Sequence, residues 1–488
     1  MADMHQFLAL DLGAESGRGI LVTLQGGKVA MEEIHRFPNR PVRLAGTLHW
    51  DFPFLFGEVL NALRTVAHRG VKLAGISVDT WGVDFGLLGS NGHLLGNPVH
   101  YRDSRTNNIH AYSQRLMSTD DIFLATGCEP WAIASLFQLL SMQRDKSPLL
   151  DLAETFLNMP DLFQYFLTGV KRCERSIVNT SNLMGTDCQW ATRIMDAFHL
   201  PRKMFAELIE PATVLAPLSP GVRSEVGLGD VPVIATCGHD TSAAVAAVPG
   251  EGTNWAYLSC GTWSILGEVI DKPIADLKCL RAGFTNEYTI GSWCLGKNIL
   301  GLWLVQELRR KWDAAGEAWD YNRMTKEAAA AKSGPLVNAM DPTLMAPRDM
   351  EEALAALLKK GGQGVPDSRG QLVRCVLESL ALEYSKGLDT IGMLTGRRPV
   401  TLYMVGGGIA NKLLCQFTAD ACGVSVHAGA DQCTALGNAL GQALALGILK
   451  TPQEIRQVMR VSSEMTTYDP QEPSVWADKR TRYARIRG

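Results

Sequence analysis

Phe7-Leu8-Ala9-Leu10-Asp11-Leu12-Gly13-Ala14-Glu15-Ser16-Gly17-Arg18-Gly19-Ile20-Leu21-Val22 is two apolar runs separated by a turn of small and polar residues. Residues 7–11 and 19–24 have strand composition, Gly26-Gly27 makes a second tight turn, and residues 29–37 supply a third strand. Three short strands joined by tight turns predict an antiparallel meander. Backbone amides in the 11–18 turn can face an anion, because glycine permits close approach of the main chain.

The pattern returns in the second half of the chain. Residues 256–259 read as a strand, Cys260-Gly261-Thr262 as a tight turn and residues 263–269 as the next strand. Between the two occurrences, residues 73–78 form a strand ending in Asp79-Thr80-Trp81-Gly82-Val83-Asp84. Residues 231–236 form another, followed by Gly238-His239-Asp240 and a small-residue helix over 241–248. Farther on, a strand over 402–405 runs into Gly406-Gly407-Gly408, with a helix over 411–421, a strand over 424–427 and a helix over 435–446. That is a βαβα unit. Two similar α/β halves are expected, meeting near Pro249-Gly250-Glu251-Gly252, so that domains span 1–248 and 249–488. Gly437 and Gly441 let the last helix lie close on the sheet, or serve a ligand.

The chain has 488 residues and a net charge of −3. A near-balanced charge excludes a protein built to displace counterions from nucleic-acid phosphates. Apolar residues make up 46% and charged residues 20%, which describes a globular chain with a core rather than a disordered one. Eleven cysteines without a C-x-x-C pair predict reduced, buried thiols instead of a disulfide framework or zinc ribbon. The first residues lack a basic and apolar leader pattern, so a cytoplasmic protein is expected and the sequon at Asn179 carries no weight. Residues 433–449 come nearest to a membrane span, but Asn438 and Gln442 interrupt them, and a buried helix with no membrane partner is expected.

Four turns place small or polar residues where strands end, and the carboxyl ends of strands are where open α/β sheets bind ligands. Glycine turns from two halves offer N–H groups to a polyphosphate across a cleft. Asp11 among phosphates implies an intervening Mg²⁺, held through water; the alternative is a hydrogen bond to its own turn. Arg18 offers a phosphate fork or a surface ion pair. Asp240 is the candidate general base for phosphoryl transfer to a sugar hydroxyl, or else a helix N-cap. His239 offers a hydrogen bond to a substrate oxygen, and Trp81-Gly82 offers an aromatic wall and bare backbone to a sugar unless Trp81 is core. Lys297-Asn298 precedes an expected apolar helix over 299–308 holding Gln306, with Asn298 capping it or facing the cleft. Residues 101–105 read as a salt-bridge cluster. No His-Glu-x-x-His, G-x-S-x-G, Walker loop or G-x-G-x-x-G occurs, which disfavours metallohydrolase, serine hydrolase and dehydrogenase chemistry.

These residues in this order, together with Met159-Pro160-Asp161, Ser259-Cys260-Gly261-Thr262-Trp263-Ser264, Lys297-Asn298-Ile299-Leu300-Gly301-Leu302-Trp303 and Val405-Gly406-Gly407-Gly408, resemble the FGGY carbohydrate kinases over about residues 6–450. The resemblance implies a two-domain α/β fold of the actin and Hsp70-like (ribonuclease H-like) kind, with ATP and sugar meeting in a cleft between the domains. It implies transfer from ATP to the 1-hydroxyl of L-rhamnulose in L-rhamnose breakdown, with fuculose or xylulose as alternative acceptors. By the same resemblance Ala14, Glu15, Ser16, Gly17, Arg18, Thr262, Gln306 and Gly407 contact ATP. Gly82, His239, Asp240, Thr241 and Asn298 contact the sugar, and Asp240 is the proton acceptor. Glu15 is expected to point outward. The competing class is a nucleotide-binding regulator that kept the fold and lost the transfer, which would not need an acid aimed at a hydroxyl.

Overall fold

The alternating and apolar runs of the first forty residues become β1 Met4–Leu12, β2 Ser16–Gln25 and β3 Lys28–Pro38, an antiparallel meander. In this computed structural model, residues 3–487 are described. Strand β1 is apolar on both faces because it is interior, paired antiparallel to β2 and parallel to Leu73–Thr80. The sheet order is Thr213–Pro217, Pro232–Ala235, Leu73–Thr80, β1, β2, β3. Its three middle strands are parallel, so their carboxyl ends share one edge.

One face of this sheet is covered by the helix Phe52–His68. It begins where Asp51 accepts the Phe54 N–H at 3.2 Å, and Phe52, Leu55, Val59, Leu63 and Val66 are buried along one stripe. Each such side chain contributes about 1.5–3 kcal/mol by leaving water. The helix Cys433–Ala445 is nearly all buried and lies against the short helix Asp240–Ala246. A Cβ on Gly437 would lie 2.0 Å from the Ala243 carbonyl oxygen, so glycine there is a packing requirement. The two polar residues that interrupt this apolar helix are used inward: Asn438 donates to Asp79 Oδ2 at 2.6 Å and Gln442 to the Leu8 carbonyl at 3.0 Å.

The chain divides into two compact units, but not by a single cut at 248/249. Residues 3–249, 269–295 and 432–462 make one unit, and 250–268, 296–431 and 463–487 make the other. The later segments return because their helix and strand faces find their apolar partners in the first unit's own core, as Tyr288 and Trp293 do. In the second unit Trp255–Cys260 pairs antiparallel with Ser264–Ile270 and parallel with Thr401–Val405. Thr401–Val405 pairs parallel with Ser425–Ala428, which meets Thr466–Tyr468 antiparallel. The 27-residue helix Arg369–Thr395 runs through this unit largely buried.

Three local expectations change. Residues 292–299 are a strand and the helix begins at Trp303, because a Cβ on Gly301 would meet the Trp263 backbone at 2.7 Å and the chain must turn there first. Residues 101–105 are not a salt-bridge cluster: Asp103 accepts the Leu48 and Arg105 N–H groups, and Arg105 donates to Gln138. Trp81 is core, with ring centroid 4.0 Å from Trp50, and both indoles donate to the buried Asp84. All eleven cysteines are free and ten are buried, Asn179 is fully buried, and no helix among the described residues is long and apolar enough to cross a membrane.

Two glycines give opposite expectations in urea denaturation. Gly437→Ala overpacks a closed helix contact and costs about 1–3 kcal/mol. Gly57→Ala, inside the Phe52–His68 helix with nothing within 4 Å of the added carbon, stabilises by about 0.5–1 kcal/mol.

Candidate active site

Asp11 and Asp79 sit opposite each other at the carboxyl ends of β1 and Leu73–Thr80. The third parallel strand, Pro232–Ala235, continues into Gly238, whose carbonyl accepts the Thr80 N–H at 2.8 Å. Trp81 N–H donates to the Leu12 carbonyl at 3.3 Å. Three strand ends are thereby laced together, and they carry Asp11, Gly82 and the His239-Asp240-Thr241 run on one edge of the first unit. This is the position at which parallel sheets bind ligands.

Gly238 has no room for a side chain, since a Cβ would lie 2.8 Å from Pro160 and 3.1 Å from Glu174 Oε2. The buried Glu174 carboxylate receives the Gly238 N–H at 2.8 Å and the Ser176 N–H and hydroxyl, each at 2.6 Å. Burial pushes Glu174 up to about 7, with the Ser176 hydroxyl as its chief opposing bond. His239, not Asp240, is the N-cap residue of the following helix. Asp240 is its first helical residue, and its Oδ1 accepts the Thr241 N–H at 2.6 Å and the Thr241 hydroxyl at 3.2 Å. Its side chain remains 31% exposed, so the carboxylate is oriented without being sealed in. Burial and the Asp11 carboxylate raise its pKa, while His239 between them in strength lowers it.

His239 is itself 11% exposed, with Glu287 Oε2 3.4 Å from Nδ1 and Asp240 Oδ1 3.5 Å from Nε2. Burial alone would drive the ring to its neutral form, but the Glu287 and Asp240 carboxylates prevail and raise it to about 9. Asp79 is fully buried, and burial and Asp11 push it well above the ordinary carboxylate range against the Asn438 hydrogen bond.

The 11–18 turn is closed by Gly13 N–H donating to Ser16 O at 3.0 Å and is clamped by Asn39, which donates to the Glu15 and Gly13 carbonyls. Ala14 and Ser16 are half-buried, and Glu15 is exposed. Gly17 is filled by the Phe37 ring, which a Cβ would meet at 2.2 Å, so its smallness serves packing. The Arg18 guanidinium pairs with Asp11 and donates to Gln432 at 2.9 Å. Gly82 is backed by Thr180, 3.1 Å from where a Cβ would sit. Among the described residues no three His, Cys, Asp or Glu side chains are spaced to hold a metal directly. Asp11, paired with Arg18 and close to Asp79 and Asp240, presents one hard carboxylate, which fits a cation that keeps its water.

In the second unit, a cavity of about 340 Å³ is lined by Gly261, Thr262, Gln306, Tyr321, Gly407 and Asn411. The Leu302 and Trp303 N–H groups donate to the Gly261 and Thr262 carbonyls at 3.0 and 2.9 Å, tying the turn to the helix Trp303–Ala314 that bears Gln306. Gly406 takes φ 84°, and a Cβ on Gly408 would meet Cys260 Sγ at 2.3 Å, so the glycines let the 401–405 and 255–260 strand ends close on each other. Thr262, Gln306 and Gly407 therefore share one cavity. Asn298 lies in the strand Ser292–Ile299 and does not cap the helix, whose N-cap is Leu302.

Three groups escaped the sequence reading: Glu174, Glu287 and the Asp79–Asn438 pair. A charged residue inside a strand-like run, as in Thr285-Asn286-Glu287-Tyr288, was the one signal available for Glu287. Nothing local marks Glu174 as buried.

A carboxylate oriented at parallel strand ends, with a separate glycine-walled cavity at the strand ends of a second α/β unit, defines a phosphotransferase of the two-domain ATPase type. Residues 6–247 match the N-terminal domain of the FGGY family of carbohydrate kinases, and residues 256–446 match its C-terminal domain. The chain belongs to the FGGY family of carbohydrate kinases. It is 39% identical over 475 residues to the rhamnulokinase of Bacteroides thetaiotaomicron, covering 97% of each chain. It is 34% identical to that of Enterococcus faecalis, covering 96% of this chain and 94% of the relative. The gluconate kinase of Lactobacillus acidophilus superposes with a TM-score of 0.83 at 18% identity over 99% of this chain and 98% of that one, a likeness of fold. The fold is the actin and Hsp70-like one.

The His239 pairing has a pH signature. The folded-state pKa of about 9 lies above the ordinary 6.5, so its stabilisation is complete below about 6.5 and is lost as pH rises through about 9. In urea titrations His239→Gln is expected to be less stable than wild type at pH 6.5, with the gap narrowing steadily to pH 9.5. A gap independent of pH would contradict the pairing.

Proposed function

We propose that the protein transfers the γ-phosphoryl group of ATP to the 1-hydroxyl of L-rhamnulose, giving ADP and L-rhamnulose 1-phosphate, in L-rhamnose breakdown in the cytoplasm. The observation that carries this reading is near-full-length identity of 39% to a rhamnulokinase, combined with an oriented, part-open carboxylate at Asp240. His239, Thr241, Gly82 and Asn298 are the proposed sugar contacts. Asp240 accepts the hydroxyl proton as the new O–P bond forms and the bond to the ADP oxygen breaks. Gly407, Gln306 and Thr262 are proposed to hold the nucleotide, and amides of the Ala14–Arg18 turn and of Thr262 to stabilise charge on the transferring group. Mg²⁺ at Asp11, held through water, would neutralise phosphate charge.

The reading favours rhamnulose over fuculose or xylulose by likeness to relatives rather than by pocket geometry. A panel of ketoses and polyols, assayed by ADP release, is expected to show highest kcat/KM with L-rhamnulose. Preference for another ketose would move the substrate and leave the reaction class, while no sugar-stimulated ADP release would favour the regulator. Asp240→Asn is expected to lower kcat by about 10²–10⁴ with ATP binding intact. Retention of wild-type turnover would remove Asp240 as the base.

The nucleotide cavity is tested by neighbouring glycines. Gly407 has open space around it, so Gly407→Val is expected to raise KM for ATP about tenfold without changing the melting temperature. Gly408→Val, crowded by Cys260, is expected to lower the melting temperature instead.

A further inference from the structure

Asp240 is not the only acid that faces His239. The strand Thr285–Thr289 presents Glu287 to the opposite side of the ring, so each ring nitrogen has a carboxylate within 3.5 Å. Ionised carboxylates only accept hydrogen bonds, and a neutral imidazole carries a single N–H. A ring set between two of them serves both only as the imidazolium. Glu287 is held in place on both sides of its own residue. Asn286 Nδ2 donates to the Gly127 and Ile274 carbonyls at 2.7 and 3.0 Å, and the Tyr288 N–H donates to Asn179 Oδ1 at 3.1 Å.

We propose that Glu287 is a positioning residue for the transfer: it keeps His239 doubly protonated, and the fixed positive charge so created keeps Asp240 ionised and ready to take the hydroxyl proton. This rests on the reading of Asp240 as the base and extends it to the group that poises it.

The need for such a device is visible in the surroundings. Asp240 is faced by Asp11, and burial and that carboxylate favour its protonated form, in which it cannot take the hydroxyl proton. The imidazolium is the opposing charge from its own helix terminus. The ring is also faced by Glu174, and Ser242 Oγ lies 3.5 Å from Nδ1. On its far side Glu287 is faced by Cys128, which burial holds as a thiol. Glu287 is thus the charge that balances the ring through Nδ1, the nitrogen not paired with Asp240.

Two measurements on the full chain test this. In the first, the His239 ring proton, assigned by its loss in His239→Asn, is followed by NMR against pH. Wild type is expected to titrate near 9, and Glu287→Gln, in which burial is no longer outweighed, is expected to bring the midpoint below the ordinary 6.5. A wild-type midpoint at or below 6.5 would overturn the inference whatever the enzyme does. In the second, the acid limb of kcat against pH is compared. For Glu287→Gln it is expected to move up by about one unit, so that well below the wild-type limb kcat, as a fraction of its plateau, falls about tenfold against wild type at the same pH, with KM for ATP unchanged. Glu287→Asp, which keeps the charge, is expected to restore the limb to its wild-type position. A Glu287→Gln profile that overlays wild type, or a limb displaced equally in both variants, refutes the role. Should Glu287→Gln not fold, the wild-type titration decides alone. If Asp240→Asn abolishes transfer while Glu287→Gln changes neither readout, the inference falls and the base stands. If no ketose is phosphorylated, the activity falls and the titration still judges the pairing.

Discussion

The hydrogen bond from the Thr80 N–H to the Gly238 carbonyl, 2.8 Å long, brings the loop bearing His239 and Asp240 to the end of its neighbouring strand. Parallel pairing has already set Asp11 beside Asp79, and this one bond adds the third strand's exit to the same edge. Glu174 receives the Gly238 N–H from the other side, so the turn is held by both its donor and its acceptor. A buried backbone group left without a partner costs about 1–3 kcal/mol, which makes this two-sided tie hard to slip. The orientation of Asp240 follows from it.

A cost accompanies the convergence of strand ends. Asp11, Asp79, Glu174 and Asp240 all lie near one edge, and like charges in a dry site raise one another's pKa. The structure answers each separately. Arg18 pairs with Asp11, Asn438 donates to Asp79, backbone and hydroxyl donors surround Glu174, and His239 stands against Asp240. Asn438 comes from the late segment 432–462 and Glu287 from 269–295, which is a physical reason for those segments to belong with the first unit. Asn438 and Gln442 bring polar groups inward from an otherwise apolar helix.

Most of the secondary structure was legible locally. The strand ranges read from residues 7–37, 73–78, 231–236 and 256–269 fall within a few residues of the observed elements, because period-two alternation and glycine turns are properties of the chain itself. The helix expected over 299–308 failed for a related reason. An apolar run carries no period long enough to tell a strand end from a helix start, and the decisive clash at Gly301 involves residues some forty positions earlier. The open alternative at Trp81 was likewise decided by a partner distant in sequence, the Trp50 ring.

What the amino-acid order determined alone was the run of strands and glycine turns and the free thiols, which rest on spacing within a few residues, while the class of chemistry came from a motif order that resembles the FGGY kinases. Tertiary structure decided which acids are buried, which arginine is already engaged, and that Glu287 stands behind His239. Charge on a side chain is local, but its protonation depends on the dielectric and the neighbours that folding assembles, and those are set by chain segments separated by scores or hundreds of residues.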